Sequence, residues 1–490
     1  MKPVAGAGRG GREMHDRYAN PLVERYASDE MAGLFSARER IRTWRRIWIA
    51  LAEAQHELEI GGVSGEQVAA LRAAAEDIDF ERAAELEREL RHDVMAHVHA
   101  FGEAAPSARA ILHLGATSAF VVDNADLLLM REATRVVERK ILCVVTALAD
   151  FAERFADLPT LGWTHFQPAQ PTTVGKRACL WMADLLLDLD EIAFRLESFR
   201  LRGLKGTTGT QASFLALTDG DGAKVDELER KVVAKLGATG AVAVTGQTAS
   251  RKIDAAWAAT IAGVAQSTGK FSHDLRLLQH LGEVLEPFGE RQVGSSAMPF
   301  KRNPMRAERM SALSRFAIQT AGNLAWTAST QWLERSLDDS AVKRIALPEL
   351  YLAVDALLVL YHGVAGGLEV REEVVAANLR RELPSMATET LLMAATRSGG
   401  DRQALHERVR VRAREAAARV EGGEGSDLLD RLAGEPGFAA LPEETWRRAR
   451  DPATYVGRAP EQARSFLARE VRPRLAAYGG PLEMTGEVRV

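Results

Sequence analysis

Residues 123–155 read DNADLLLMREATRVVERKILCVVTALADFAERF, and this segment decides the fold. It contains neither glycine nor proline, which are the residues that most often interrupt a helix. Apolar side chains recur along one helical face, at Leu127, Val137, Ile141, Val144, Leu148, Phe151 and Phe155. At 1.5 Å per residue such a helix is about 45 Å long. The segment therefore predicts one long amphipathic rod.

Four further segments have the same proline-free, amphipathic character and extend the prediction to a bundle of rods. They are residues 41–58, 172–201, 249–281 and 305–336. Alternating strand patterns are scarce, and only residues 240–245 are a candidate strand. The sequence therefore predicts an all-α fold whose centre is a long up-down helical bundle.

Glycine, proline, serine and threonine cluster between the rods and mark the predicted organisation. We predict loops at residues 160–173, 203–213 and 287–304, where these residue types interrupt the helical pattern. Composition changes again near residues 363–367. The predicted units are a flexible leader (1–20), an N-terminal helical domain (21–111), a central long-helix bundle domain (112–364) and a C-terminal helical domain (365–490).

Composition excludes several classes of protein. The 490 residues carry a net charge of −4, with 46% hydrophobic and 27% charged side chains, which argues against intrinsic disorder and against a protein that coats nucleic acid. Two cysteines cannot form a disulfide framework. No apolar run approaches the ~20 residues that span a bilayer. We expect a cytoplasmic protein that binds neither nucleic acid nor membrane.

Several common catalytic motifs are absent from the sequence. Gly269-Lys270 is not a phosphate loop, because Val264 stands where that motif needs its first glycine. Neither a G-x-G-x-x-G nor a G-x-S-x-G pattern occurs in a suitable context. His92, His97 and His99 form a cluster that could bind a metal, but their spacing matches no metal motif, and ordinary polar histidines are the alternative.

The loop at residues 294–304, GSSAMPFKRNP, is the most distinctive polar segment. Glycine and serine permit movement at its start, and two prolines stiffen its end. Lys301, Arg302, Arg306 and Arg309 place four cations within nine residues around a predicted helix start, which is itself electropositive. We expect an anion there; a solvated, charged helix start is the alternative.

Two other loops place polar side chains at the ends of rods. Residues 163–170, WTHFQPAQ, hold His165 among uncharged hydrogen-bonding groups, where it could act as an acid or base or could be structural. Residues 113–118, HLGATS, precede the longest rod. The hydroxyls of Thr117 and Ser118 could bind a carboxylate there, or could simply cap the helix.

These loops together resemble a known family. GSSAMPFKRNPMRAE (294–308) resembles the signature loop of the fumarase/aspartase superfamily of lyases. Within that superfamily, five further segments resemble adenylosuccinate lyases: RHDVMAH (91–97), HLGATS (113–118), THFQPAQ (164–170), TGQTASRK (245–252) and LERSLDDSAVKR (333–344). The likeness extends from about residue 25 to residue 344 and is weaker after about residue 365.

The resemblance implies a reaction and a set of catalytic residues. Fumarate would be eliminated from adenylosuccinate, leaving AMP, and from the succinylated carboxamide ribotide SAICAR, leaving AICAR. Ser295 matches the general base and His165 the general acid, with Glu308 orienting that histidine. Lys301 would stabilise the doubly charged aci-carboxylate intermediate, because fixed positive charge is most effective where negative charge develops. This chemistry requires no metal and no organic cofactor.

The same resemblance implies a substrate-binding set and an assembly. The phosphate would be bound by Arg25, Tyr26, Arg335, Ser340 and Arg344. Other substrate-contacting positions match His92, His113, Thr117, Ser118, Thr164, Gln247, Asn303 and Arg309. The family implies a homotetramer with each site drawn from three subunits. Two alternatives stay open: a sister lyase whose substrate lacks phosphate, such as argininosuccinate lyase or a carboxymuconate-type enzyme, and a non-catalytic helical oligomer.

Overall fold

The computed structural model describes residues 18–289 and 291–486. Apart from residues 18–20, the predicted leader lies outside this range. The first helices are α1 (Asp29–Leu34), α2 (Ala37–Glu57), α3 (Gly65–Ala73), α4 (Phe80–Leu90), α5 (Asp93–Ala104), α6 (Ser118–Arg154), α7 (Val174–Glu197), α8 (Ala212–Leu217) and α9 (Gly222–Lys235). They are followed by α10 (Arg251–His280), α11 (Met305–Thr330), α12 (Asp339–Ala365), α13 (Glu372–Arg397), α14 (Arg402–Glu421), α15 (Leu428–Ala433), α16 (Glu443–Ala449), α17 (Ala459–Phe466) and α18 (Arg472–Ala477).

Short strands and tight helical turns complete the described chain. The strands are β1 (Pro159–Thr164), β2 (Gln167–Thr173), β3 (Val284–Leu285) and β4 (Glu369–Val370), with β1 antiparallel to β2 and β3 antiparallel to β4. The 3₁₀ turns are Pro106–Ile111 and Pro452–Tyr455, and the π turns are Leu22–Tyr26 and Leu467–Val471. Helices dominate the described residues, which confirms the all-α prediction.

The central bundle consists of the long helices α6, α7, α10, α11 and α12. Helix α6 has 37 residues, and the apolar residues that predicted it are buried, including Leu127, Ile141 and Leu148. At 1.5 Å per residue α6 spans about 55 Å. The predicted helix 305–336 ends at Thr330. The bundle is thus long enough to keep its two ends far apart.

Residues 160–173 form a β-hairpin, so the prediction of an irregular loop there was wrong. Strands β1 and β2 pair in antiparallel register, and His165 and Phe166 form the two-residue turn between them. Both turn residues have positive φ, 53° and 56°, as hairpin turns of this length require. The candidate strand at 240–245 is also wrong, because in the described chain only an isolated bridge pairs Ala241 with Leu201.

Helix α12 is the most apolar of the long helices. By length and composition it could cross a membrane, with a mean hydropathy of 1.5 over its best window, but 78% of that window is buried inside the protein. It also carries a buried ion pair, since Asp355 accepts a hydrogen bond from Lys140 of α6 at 2.5 Å. Its apolar surface is therefore covered by the bundle itself.

That buried ion pair also holds both ends of the described chain against the bundle. Asp355 accepts hydrogen bonds from the backbone N–H and the hydroxyl of Ser28, at 2.6 and 3.1 Å. Lys140 donates to the backbone oxygen of Thr485 at 2.8 Å. Because Ser28 lies two residues after Tyr26, the contact fixes a segment that carries two predicted phosphate-binding residues.

A second, smaller hydrophobic core lies in the C-terminal part of the chain. Its buried members lie between residues 387 and 449, on α13, α14, α15 and α16 and the turns between them. The main core instead includes residues from Leu22 to Ala365, with three from α17 and the π turn that follows it. The boundaries proposed for the three domains stay predictions.

Candidate functional site

A large cleft lies at one end of the bundle and has a volume of 890 Å³. Its walls come from α2, the start of α5, the start of α6, the segment before α10 and the start of α12. Seven of the predicted substrate-binding residues line it: His92, Thr117, Ser118, Gln247, Arg335, Ser340 and Arg344. Residues separated by up to 252 positions in the sequence therefore meet in one cavity.

His92 and Ser118 form a hydrogen-bonded pair in the cleft wall. His92 caps the N-terminus of α5, where its Nδ1 accepts a hydrogen bond from the backbone N–H of Met95 at 3.3 Å. Its Nε2 lies 3.2 Å from the Ser118 hydroxyl. Thr117 stands at the N-cap of α6, yet its side chain makes no capping hydrogen bond. The capping alternative for Thr117 is thus wrong, and its hydroxyl belongs to the cleft lining.

Two arginines in the cleft are held by specific partners. Arg335 donates to the Gln247 side-chain oxygen at 2.9 Å. Arg344 donates to the Ser340 hydroxyl at 2.7 Å and to the carboxylate of Asp93 at 2.5 Å. These contacts fix both guanidinium groups, which reduces the conformational entropy lost when they bind an anion. The cleft is therefore preorganised for a charged ligand.

His113 lies behind the cleft wall and stays neutral. Its Nδ1 accepts a hydrogen bond from the indole N–H of Trp48 at 2.9 Å. Burial, with a smaller contribution from nearby His92, lowers the pKa of His113 to about 4. His113 is absent from the cleft lining, so the structure places it as a support for the wall rather than in the cavity.

Sequence reasoning missed other cleft residues. Arg40 and Trp44 of α2 also line the cavity, together with Arg91 and Asp93 beside His92. Arg91 and Asp93 stand within the RHDVMAH segment, so that motif was a usable signal. Arg40 had no such signal, because it is one charged residue among several on an amphipathic helix.

The predicted signature loop lies elsewhere. Ser295 accepts a hydrogen bond from the backbone N–H of Met298 at 3.1 Å, and Asn303 donates to the backbone oxygen of Gly294 at 2.8 Å. Lys301 is exposed. The loop is therefore held together by its own hydrogen bonds, and it presents the Lys301 cation to solvent.

The helix start after this loop holds a carboxylate of the chain itself. The backbone N–H groups of Arg306 and Ala307 donate to the Glu286 carboxylate at 3.0 and 2.9 Å. A carboxylate of the chain itself therefore occupies the N-terminus of α11, and the anion at this helix start is a side chain of the protein. Burial is the largest influence on Glu286 and raises the pKa of its carboxyl.

Glu308 and Arg309 occupy the first turns of α11. Glu308 lines a groove of 510 Å³ whose other residues include His273, Arg276, His280 and Arg302. The guanidinium of Arg309 lies over the ring of Tyr26, 5.8 Å from its centroid. Tyr26 and its neighbour Arg25 are thus near the loop end of α11, and neither lines the 890 Å³ cleft.

His165 lies at the exposed tip of the β1–β2 hairpin, next to Thr164. The hairpin follows the C-terminal end of α6, whereas Ser118 at the other end of α6 lines the cleft. The two groups are therefore separated by a helix of about 55 Å. Similarly, α11 has 26 residues, so about 40 Å separate the signature loop from the segment that leads to Arg335.

The predicted site residues thus form two groups in one chain. The cleft group comprises the seven residues named above, with His113 behind the wall. The other group lies at the opposite end of the long helices and comprises Arg25, Tyr26, Thr164, His165, Ser295, Lys301, Asn303, Glu308 and Arg309. Within the described residues no group of three or more metal-ligating side chains is arranged to hold a metal, including around His92.

Comparison with known proteins gives matches over nearly the whole chain. A family model described as lyase matches residues 24–318, and one described as adenylosuccinate lyase C-terminus matches residues 384–466. The chain is 47% identical to adenylosuccinate lyase of Saccharomyces cerevisiae over 95% of this chain and 97% of the relative. It is 46% identical to adenylosuccinate lyase of Schizosaccharomyces pombe, with the same coverage.

Solved structures with the same fold include a fumarate lyase and a lactonizing enzyme. The 3-carboxy-cis,cis-muconate lactonizing enzyme of Pseudomonas putida aligns with a TM-score of 0.81 at 26% identity, covering 94% of this chain and 100% of that one. A fumarate lyase from Mesorhizobium sp. BNC1 aligns with a TM-score of 0.79 at 26% identity, covering 93% and 100%.

Proposed function

Since the chain belongs to the adenylosuccinate lyase family, we propose that it eliminates fumarate from adenylosuccinate, leaving AMP, and from SAICAR, leaving AICAR. Both reactions break a carbon–nitrogen bond by β-elimination. The observation that carries the proposal is the cleft, where Arg335, Ser340 and Arg344 of the predicted phosphate-binding set lie together. A sister lyase whose substrate lacks phosphate would have no use for this set.

The charge of the cleft suits such a substrate. Two carboxylates carry a charge of −2, and a phosphate adds about −1.5 to −2. Arg40 and Arg91 line the cleft with Arg335 and Arg344, against the carboxylates of Glu87 and Asp93. At an effective dielectric constant of about 20, one cation 4 Å from an anion contributes roughly 4 kcal/mol before desolvation. A few local arginines therefore outweigh the slightly negative net charge of the chain.

The catalytic roles follow the chemistry of the elimination. Ser295 takes the proton from the carbon beside a carboxylate, and the electron pair moves into that carboxylate to form the aci intermediate. Collapse of the intermediate expels the nitrogen, which receives a proton from His165. Lys301 stabilises the developing charge, and Glu308 holds the imidazole of His165 in the required orientation. No metal or organic cofactor takes part.

Serine is a weak base, so this role needs a closed loop. The described loop exposes Lys301 and holds Ser295 in a hydrogen bond with its own backbone. Movement of the loop toward a bound substrate would bring Ser295 and Lys301 to the reacting carbon together and expel water. Gly294 at its start permits movement, whereas Pro299 in its middle and Pro304 at its end restrict the backbone.

The two residue groups are too far apart in one chain to form a single active site, so the site requires several subunits. About 55 Å lie between the cleft and His165 of the same chain, so a complete site combines the cleft of one subunit with the hairpin and loop of others. We propose a homotetramer with each site shared among three subunits. An exposed stripe on α7 supports self-association: Leu180, Leu187 and Phe194 are 50%, 67% and 56% exposed and recur every seven residues.

We further propose a cytoplasmic location. Cys143 and Cys179 are unpaired and buried, and burial raises the pKa of both thiols, so neither is activated for disulfide exchange. Unpaired thiols of this kind persist most readily in a reducing compartment. The succinylated purine nucleotides are the expected partners, with neither nucleic acid nor membrane.

The direct test incubates the purified protein with adenylosuccinate and measures AMP and fumarate. We expect equal amounts of the two products, and no cleavage of argininosuccinate. His165→Ala and Ser295→Ala should each abolish turnover in a folded oligomer. His99→Ala is the matched control, because this histidine lies on α5 outside the cleft lining. A fully active Ser295→Ala enzyme would rule out its role as base, and release of fumarate from argininosuccinate alone would favour the sister lyase.

A further inference from the structure

A cluster of six charged side chains lies directly beneath the cleft. Its members are Asp123, Asp126, Arg251, Asp254, Asp339 and Lys343. All but Asp126 are buried. Five of them, all but Asp254, line a small cavity of 40 Å³ together with Arg335, Ser340 and Arg344, which also line the cleft above. The cluster therefore lies directly below the predicted phosphate-binding side chains and forms the bottom of the cleft, called its floor below.

Arg251 is one of the two cations that hold the cluster together. Its guanidinium contacts Asp123 at 2.9 Å, Asp254 at 3.3 Å and Asp339 at 2.8 Å. The Asp123 carboxylate also accepts a hydrogen bond from the backbone N–H of Ala249 at 2.7 Å. These contacts tie the start of α10 to α6 and α12.

Lys343 is the second cation and approaches from α12. Its Nζ lies 3.0 Å from a carboxylate oxygen of Asp126, 3.5 Å from Asp254 and 3.6 Å from Asp123. Burial alone would lower the pKa of Lys343, but the surrounding carboxylates outweigh it and raise that pKa above its ordinary value. The ammonium therefore stays charged and bridges α12 to α6 and α10.

Near the start of each helix in this cluster, a cleft residue lies within five positions of a cluster residue. Asp123 lies five residues after Ser118 on α6, and Arg251 lies four residues after Gln247. On α12 the relation is closest, because Ser340 directly follows Asp339 and Arg344 directly follows Lys343. A shift of one helix against the others would move its cleft residue by a similar distance.

The numbers of charges make the cluster sensitive to loss of a cation. Two cations, Arg251 and Lys343, make the ion pairs with all four carboxylates of the cluster. Burial raises the pKa of Asp254. For Asp123 burial acts in the same direction, but Lys343 and Arg251 outweigh it and lower the pKa of that carboxyl. Without Lys343, Asp123 and Asp254 would share a single cation, and repulsion would separate the helices.

We propose that the buried cluster centred on Lys343 and Arg251 is a positioning device that sets the distance between Gln247, Arg335 and Arg344 for the phosphate of the ligand. The proposal rests on the function proposed above, because it takes AMP as the phosphate-bearing product. Lys343 and Arg251 are positioning residues that act through the cleft side chains. Affinity for the phosphate-bearing ligand therefore depends on ion pairs that the ligand never touches.

The test measures by calorimetry the affinities of the assembled protein for AMP and for fumarate, which lacks phosphate. Lys343→Met keeps an apolar stem and removes the charge. Because hydrogen bonds to charged groups weaken when the groups that make them are misplaced, we expect the Kd for AMP to rise at least about tenfold. The Kd for fumarate should stay within about threefold of that of the unaltered protein.

Two further variants keep the proposal testable if Lys343→Met folds poorly. Asp339→Asn is isosteric and removes one contact of Arg251 at the start of α12, so it should weaken AMP binding in the same selective manner. Asp254→Asn combined with Lys343→Met removes repulsion and should restore part of the lost affinity. Glu435→Gln is the control: this carboxylate is 8% exposed and pairs with Arg408 and Arg412 beside the second core.

The outcomes separate this proposal from the proposed function. Selective weakening of AMP binding in Lys343→Met and Asp339→Asn supports the positioning role. If the unaltered protein fails to release fumarate from adenylosuccinate, the proposed function is refuted, but the binding result still supports the positioning role. Unchanged AMP affinity in both variants overturns the positioning role. Equal losses for AMP and fumarate, or an equal loss in Glu435→Gln, also overturn it, because they would indicate general destabilisation.

Discussion

Replacement of Leu187 on α7 by aspartate should dissociate the assembly and abolish activity together. Leu187 is 67% exposed in the single chain, and fully burying a leucine contributes about 1.5–3 kcal/mol. Its burial in an interface is thus worth roughly 1–2 kcal/mol per chain. Four copies give about 4–8 kcal/mol, which is about three to six powers of ten in the association constant. The introduced carboxylate adds a desolvation cost.

The assay is sedimentation velocity at micromolar concentration, combined with fumarate release measured on the same samples. We expect Leu187→Asp to sediment as smaller species without activity, since no single chain brings the cleft and His165 together. Leu187→Met should remain assembled and active. Val420→Asp introduces the same charge on an exposed apolar position of α14, 44% exposed, and should change neither property. A tetrameric, active Leu187→Asp protein would refute the assigned interface.

Three other substitutions test separate parts of the account. Gly294→Ala would place a Cβ 2.1 Å from the backbone oxygen of Lys301 and so distort the loop. We expect kcat to fall at least about tenfold, while the melting temperature changes by less than about 3 °C. An unaltered kcat would contradict the importance of this turn. His113 has a folded pKa of about 4 against an ordinary value of 6.5, so its contribution to stability is complete above pH 6.5 and is lost as the pH falls toward 4. His113→Gln should therefore lose less melting temperature between pH 7 and pH 5 than the unaltered protein, and an equal loss would be evidence against a neutral His113. Lys140→Met leaves the Asp355 carboxylate buried without its cation, which should lower the free energy of unfolding by about 3–5 kcal/mol. The half-life of activity on heating should therefore shorten, and an unchanged half-life would contradict the importance of this ion pair.

The long helices could be predicted because their signal is local. Residues 123–155 repeat apolar side chains over several turns without a helix breaker, and α6 contains all of these residues except Phe155, which is its C-cap. Helix α12 was not singled out, since it is apolar on nearly every face and contains Pro348. A helix without a polar face has no amphipathic period, and a proline within a helix is read as its end.

The hairpin at residues 159–173 shows the limit of reasoning from residue types. Its sequence contains three prolines and no regular alternation, both typical of a loop. The turn is formed by His165 and Phe166 in the left-handed region, which non-glycine residues rarely adopt. The ladder continues despite a shift of register between Leu161 and Trp163. Such pairing is decided by the surrounding packing rather than by local preference.

The cleft was foreseen through motifs, but its floor was not. Arg251 and Lys343 stand inside two segments that carried the family resemblance, yet nothing local distinguishes them from solvated cations. Their burial depends on Asp123, which is 128 and 220 positions away, and on Asp254. Pairing across such separations is set by the fold and is invisible in composition or periodicity.

The central claim is that no single chain contains a complete site, and mixing two inactive variants tests it most directly. Arg344→Ala removes a guanidinium from the cleft, and His165→Ala removes the hairpin imidazole about 55 Å away. After the two proteins are unfolded and refolded together in equal amounts, about one site in four receives both intact residues from different chains. The account predicts recovery of about a quarter of the unaltered fumarate release; a mixture as inactive as its components would contradict it.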